Sequence, residues 1–129
     1  MIKTLNQLQP WGALVLRVAL GVSMLVHGYE KVVPHGALHG FESYIRALGM
    51  PAWLGIVSAY TEFIGGILLL LGLLTRLASL FIAINMLVAL IAVGIHQGFG
   101  IYNYIFALFA IAVMLFFYGP GALAVNRNS

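Results

Sequence analysis

Cysteine is absent from the chain. That removes disulfides, thiol redox chemistry, iron–sulfur ligation and thiolate metal sites in one step, so a redox role would need a borrowed cofactor. Charge is almost as scarce: Asp, Glu, Lys and Arg make up 7% of 129 residues, against about 25% in an ordinary soluble domain. Only three residues are acidic, Glu30, Glu42 and Glu62. With 63% hydrophobic residues the chain reads as an integral membrane protein, and little is left over for an extramembrane domain. A single compact membrane domain over residues 1–129 is expected, with the lipid bilayer as its first partner. The formal charge of +3 is too small and too scattered to suggest nucleic acid, and no metal site is expected.

What is present is a set of long apolar runs. Residues 1–10 are polar and end at Pro10-Trp11, a helix start with an interfacial aromatic. Span one is expected from about Trp11 to Val33, closed by Pro34. Lys3 followed by the apolar run Gly12–Val26 could pass for a signal peptide. An uncleaved helix is preferred, because the run continues into a polar motif and three more spans follow. Leu38, Phe41, Ile45 and Leu48 then recur at spacings of three and four, with Glu42 and Arg46 on another face. That pattern predicts a short amphipathic helix on the membrane surface. Span two is expected from about Ala52 to Leu74, span three from Leu77 to Ile95 and span four from Tyr102 to Tyr118, with Gly119-Pro120-Gly121 breaking the helix before a polar tail.

Runs of this length match a hydrocarbon core of about 30 Å at a rise of about 1.5 Å per residue. The short connections predict an all-α, antiparallel four-helix bundle. Lys3, Arg76 and Arg127 fall on the side of the termini, whereas Glu30, Lys31, Glu42 and Arg46 balance on the other. The basic excess places both termini in the cytoplasm of a bacterial inner-membrane protein.

Polar residues inside the spans carry the functional signal. Glu62 sits near the middle of span two, where a charge costs roughly 2.5–3.5 kcal/mol while Leu, Ile and Phe return roughly 0.3–0.6 each. The nine such residues from Phe63 to Leu74 carry the helix in regardless. The carboxyl group must then find a cation, find hydrogen-bond donors, or keep its proton. At 100° per residue, one face of span one collects Arg17, Gly21, His27, Gly28 and Lys31, and one face of span two collects Gly55, Ser58, Glu62, Gly65, Gly66 and Leu69. The corresponding face of span three is Ala78, Asn85, Ala89, Ala92 and His96, and that of span four is Asn103, Ala107, Ala110 and Met114. These small and polar faces are expected to pack inward.

Depth divides the polar groups into two layers. Glu62 and Asn85 lie near the midplane, and Arg17 lies about 7–8 Å to the side of the termini at the standard rise. An arginine can span most of that gap, so Arg17, Glu62 and Asn85 form the first expected cluster. His27, Lys31, His96, Asn103 and Tyr102 form a second layer beneath the amphipathic helix. Structural glue and function remain alternatives for these groups. Gly65-Gly66 and Gly72 are expected to allow close helix approach. Haem ligation by His27 and His96 is disfavoured, because His96 lies several ångströms further out.

The chain resembles the DoxX family of small four-span bacterial membrane proteins. The resemblance rests on Arg17, His27-Gly28-Tyr29-Glu30-Lys31, Phe41, Gly49-Met50-Pro51, Glu62 with Gly65-Gly66, Gly72-Leu-Leu-Thr-Arg76 and Gly119-Pro120-Gly121, over almost the whole length. Two positions depart from the family pattern. Tyr102-Asn103 stands where the last span often opens with an acid, and Asn126 stands where the tail often carries an aspartate. Glu62 is then the only intramembrane carboxylate.

Family members are associated with membrane oxidoreduction. The resemblance therefore implies a membrane subunit or quinone-interacting module, in which a glycine-lined bundle holds a quinone-like or lipid ring, Glu62 exchanges a proton, and Arg17 or Lys31 governs that exchange. No complete redox centre is encoded, so electrons would come from a partner chain or bound cofactor. The alternative is a non-catalytic accessory subunit whose polar cluster is sealed and whose aromatics Phe99, Tyr102, Tyr104, Phe106 and Phe109 dock on a larger complex. Either reading fits a homo-oligomer or a subunit of a larger assembly. Transport is disfavoured, since four short spans offer little room for alternating access.

Overall fold

The structure, a computed structural model, describes all residues from 1 to 129 and contains helices and turns only. A short α1 (Ile2–Gln7) leads into α2 (Gln9–Val32), followed by α3 (Ala37–Ala47), α4 (Trp53–Leu71), α5 (Thr75–Ala92), a single 3₁₀ turn (Gly94–His96) and α6 (Phe99–Tyr118). The helices α2, α4, α5 and α6 are each long and apolar enough to cross a membrane, the third of these segments running on to His96. The all-α bundle expected from the sequence is thus present, with span ends shifted by a few residues.

Local chemistry sets the boundaries. α2 stops at Val32; Val33 keeps helical backbone and still donates to the Tyr29 carbonyl at 2.9 Å, but Pro34 has no N–H with which to extend the ladder. α4 ends on Gly72 in the left-handed conformation (φ 67°), and the Leu73 N–H reaches back to the Leu68 carbonyl at 3.0 Å. That six-to-one bond is a Schellman closure, which favours glycine at the left-handed residue because a Cβ there is strained.

α2 packs along α4, and α5 along α6. The two hairpin-like pairs meet where α4 touches α5 and α2 touches α6, while the diagonal helices stay apart. The α2–α4 seam is closest at Gly28, where a Cβ would fall 2.3 Å from the Phe63 backbone nitrogen, and nearly as close at Gly66, where it would fall 2.5 Å from the Leu25 backbone nitrogen. Close approach at Gly66 is what the small faces of spans one and two predicted.

The core runs between the pairs through Leu20, Met24, Leu69, Ile82, Met86, Ala112 and Leu115. Val15, Val22, Ile64, Leu77, Phe81, Ile84 and Ile91 point outward and are exposed. Water would penalise that surface, and lipid tails accommodate it.

Span four departs from expectation. Its small face, Asn103, Ala107 and Ala110, lies outward, while Ile105, Ala112 and Leu115 are buried. The reason is that α6 is apolar all round, so its small residues do not mark a preferred face. Its larger side chains instead fill the space against α5, with Leu108 and Phe109 packed on the core.

Residues after α6 fold back across the end that carries the termini. Ala122 N–H donates to the Pro10 carbonyl (2.9 Å), Val125 N–H to Leu71 (2.9 Å) and Asn126 N–H to Gly72 (3.1 Å). The tail therefore ties the start of α2 to the end of α4.

Candidate functional site

Glu62 is 2% exposed, and its carboxylate is held by Lys31, not by Arg17. The Lys31 ammonium donates to both carboxylate oxygens, the contact to Oε2 being 2.9 Å, and no other group donates to them. Side-chain direction explains the choice. In a helix the Cα–Cβ bond tilts toward the N-terminus, and α2 and α4 are antiparallel. Lys31, near the end of α2, leans back toward the membrane centre, while Glu62 leans toward the α3 end, so the two converge. Arg17 leans the opposite way from Glu62. It lies 14 positions before Lys31, about 21 Å along the axis.

The expected cluster of Arg17, Glu62 and Asn85 is therefore not formed. Arg17 is 1% exposed and donates Nη1 to the Pro120 carbonyl at 2.6 Å and Nη2 to the Leu123 carbonyl at 3.0 Å. It pins the returning tail. Asn85 meets Ser58 instead, whose hydroxyl donates to Oδ1 at 2.6 Å across the α4–α5 seam. The Asn85 amide nitrogen has no acceptor within the chain.

Of the second expected layer, His27 and Lys31 stay together and the rest disperse. His96 sits exposed in the 3₁₀ turn. Asn103 is exposed and turns back to donate to the Phe99 carbonyl of its own helix at 2.6 Å. Tyr102 packs edge-on against Phe99, with ring centroids 5.2 Å apart. His27 Nδ1 donates to the Ser23 carbonyl at 2.7 Å, which leaves Nε2 as the free ring nitrogen. Gly28 lies against the Phe63 backbone and Gly65 against Ile82, so both act in packing.

Lys31, Glu62, His27, Ser58 and Asn85 share one cavity of about 430 Å³ between the two helix pairs. Its other walls are mostly apolar: Met24 from α2, Leu54 and Val57 from α4, Phe81 and Ile84 from α5, Ile105 and Leu108 from α6. α3 roofs it with Phe41, Tyr44 and Ile45. Phe41 also covers Lys31, with the ammonium 4.5 Å from the ring centroid, an attractive cation–π placement. Val57, Phe81, Ile84 and Val88 line the cavity and are also exposed, which puts its mouth along the α4–α5 seam. An apolar space of this size with a few convergent polar groups has the form of a small-molecule site.

Sequence reasoning missed the roof contact and the tail. Phe41 was visible as one position of an amphipathic stripe and as part of the family resemblance, neither of which says that it covers Lys31, and nothing local in residues 119–129 foretells that the Pro120 and Leu123 carbonyls meet Arg17.

Comparison with known proteins agrees with the fold. The DoxX family profile matches residues 12–95, well over half the chain. The Escherichia coli (strain K12) "Inner membrane protein YqjF" is 28% identical over 130 aligned positions, covering 95% of each chain. The Bacillus subtilis (strain 168) "Putative oxidoreductase CatD" is 33% identical over 88 residues, 68% of this chain and 63% of CatD. The chain thus spans slightly less than two thirds of the length of CatD. No solved structure matches it. With four apolar spans, the ordered motifs from Arg17 to Gly121 and a profile match across three of those spans, the chain belongs to the DoxX family of membrane proteins.

Proposed function

We propose that this chain is a bacterial inner-membrane module of a redox system, with both termini in the cytoplasm. Its cavity seats a quinone-like or other lipid-borne ring, and Glu62 exchanges the accompanying proton under the control of Lys31. One observation carries this reading: the buried Lys31–Glu62 pair opens onto a roomy, largely apolar cavity instead of being packed shut. A sealed polar cluster would have favoured a purely accessory subunit. The relatives' names, one an oxidoreductase and one an inner-membrane protein, point the same way.

Within the site the roles divide by chemistry. The Asn85 amide is a donor for a ring carbonyl, and His27 Nε2 is an acceptor for a ring hydroxyl. Glu62 accepts or gives up the proton, and Lys31 is its ion-pair partner. Electrons come from a partner chain or a bound donor, since this chain supplies proton chemistry and a seat only. Arg17 takes no part, because its terminal nitrogens are committed to the tail.

The test is gentle purification in native lipid, followed by an absorption spectrum and mass spectrometry of everything that stays bound. A quinone or a redox-active partner in stoichiometric amount, displaced or inactivated in Glu62→Gln, is the expected result. Phospholipid and a non-redox protein alone would sink the reading and leave an accessory subunit, monomeric or assembled.

A further inference from the structure

The Lys31–Glu62 pair is lopsided in a way that constrains what else the cavity can bind. Glu62 has a side-chain exposure of 3%, whereas that of Lys31 is 28%, so an incoming molecule reaches the Lys31 side chain before it reaches the carboxylate. Lys31 is also the only cation lining the cavity. Its hydrogens face Glu62, and Phe41 covers another side. Glu62 in turn accepts from nothing but Lys31.

A neutral guest can sit beside the intact pair. An anionic guest cannot, because it would leave one uncompensated negative charge in an apolar space. Neutrality is restored if the guest takes the place of Glu62 on Lys31 and Glu62 acquires a proton.

We infer that the cavity also takes amphiphiles with a carboxylate headgroup, which dock on Lys31 and drive uptake of one proton at Glu62. This rests on the proposal that the cavity receives a guest from the bilayer. The balance is simple: a carboxylate and one proton from solution enter, the Lys31–Glu62 ion pair becomes a Lys31–guest ion pair, and one O–H bond forms on Glu62. The aliphatic tail lies against Val57, Phe81, Ile84 and Val88 at the mouth. Besides the pair, the titratable groups on the cavity are His27 from α2, Tyr44 from α3 and Tyr104 from α6. α4 adds none beyond Glu62, and α5 adds none. His27, whose Nε2 is free, is thus the competing proton acceptor that the experiment must separate from Glu62.

The experiment is calorimetric titration of decanoate into the full chain in nanodiscs, with empty nanodiscs subtracted, in two buffers of different ionisation enthalpy at pH 7. The expected result is uptake of one proton per decanoate, with affinity falling about tenfold per pH unit as pH rises. In Glu62→Gln decanoate should bind with no proton uptake and lose that pH dependence. In Lys31→Met it should not bind; decanol and a decyl-substituted benzoquinone, titrated into the unsubstituted chain, report whether the cavity takes a neutral guest. His27→Gln should keep the uptake. Decanoate binding without a proton, or uptake that disappears in His27→Gln and persists in Glu62→Gln, overturns the inference. If the benzoquinone binds and decanoate does not, the inference falls and the cavity reading stands. If none of the three binds, both fall.

Discussion

The two ends of the bundle use buried charge in opposite ways. At the end carrying the termini, Arg17 is enclosed, and its two terminal nitrogens donate to the backbone carbonyls of Pro120 and Leu123 while its buried Nε has no partner. At the α3 end, Lys31 is partly accessible and holds a carboxylate beside an open cavity. A carbonyl cannot titrate, so the Arg17 contacts can only hold structure. A carboxylate can, so the Lys31–Glu62 contact can also change state. The partner of each buried charge thus decides whether its contact is able to change state.

The largest effect is expected from Arg17→Leu, which leaves the Pro120 and Leu123 carbonyls without their donors. Loss of two charge-assisted hydrogen bonds should cost roughly 3 kcal/mol and release the tail, seen as a lowered unfolding midpoint in detergent and faster proteolysis after residue 119. If ligand binding changes while stability does not, the two ends are not separate.

Gly66→Ala comes next. Its Cβ would press on the Leu25 backbone, which has no side-chain freedom to yield, so the α2–α4 seam should open at a cost of about 2 kcal/mol. An unchanged midpoint would mean that the seam is looser than the structure has it.

Double-mutant cycles measure the comparison directly. Lys31→Met with Glu62→Gln should show a coupling of about 1–2 kcal/mol, whereas Arg17→Leu with Glu62→Gln should add to within about 0.5 kcal/mol. A coupled Arg17 and an uncoupled Lys31 would reverse the assignment. Glu62→Gln by itself should fold nearly normally, since it keeps size and hydrogen-bonding capacity.

The smallest effect is expected from Ser58→Ala, which removes the hydroxyl that donates to Asn85 across the α4–α5 seam. About 1 kcal/mol or less of stability should be lost, because the site borders an open cavity where a guest or water can replace the bond. Tighter guest binding would show that this bond also restricts the mouth.

Much of this was legible beforehand, for identifiable reasons. Apolar runs of spanning length and Pro34 set the helices, and the i, i+3, i+4 recurrence from Leu38 to Leu48 announced α3, whereas Gly72, expected inside a span running to Leu74, is the residue that stops α4. The glycines facing one side of α2 and α4 foretold their close seam, because only residues without a side chain let two backbones approach so nearly. Glu62 was identifiable as a residue that must find a partner, since one carboxylate in an apolar helix has few alternatives.

The identity of that partner was not. Counting depth along the helix axis placed Arg17 near Glu62, but it ignored that side chains lean toward the N-terminus of their own helix, in opposite directions on antiparallel neighbours. The face that α6 turns inward was equally hidden, for a helix apolar on every side has no stripe to read.

By its composition and periodicity alone, then, this sequence determined that four helices cross a membrane and that an acid lies buried among them. Tertiary structure alone decided that the acid pairs with Lys31 beneath Phe41, that Arg17 fastens a tail 103 positions away, and that a cavity remains between the helix pairs. Those outcomes depend on the relative orientation of helices distant in sequence, which no local pattern encodes.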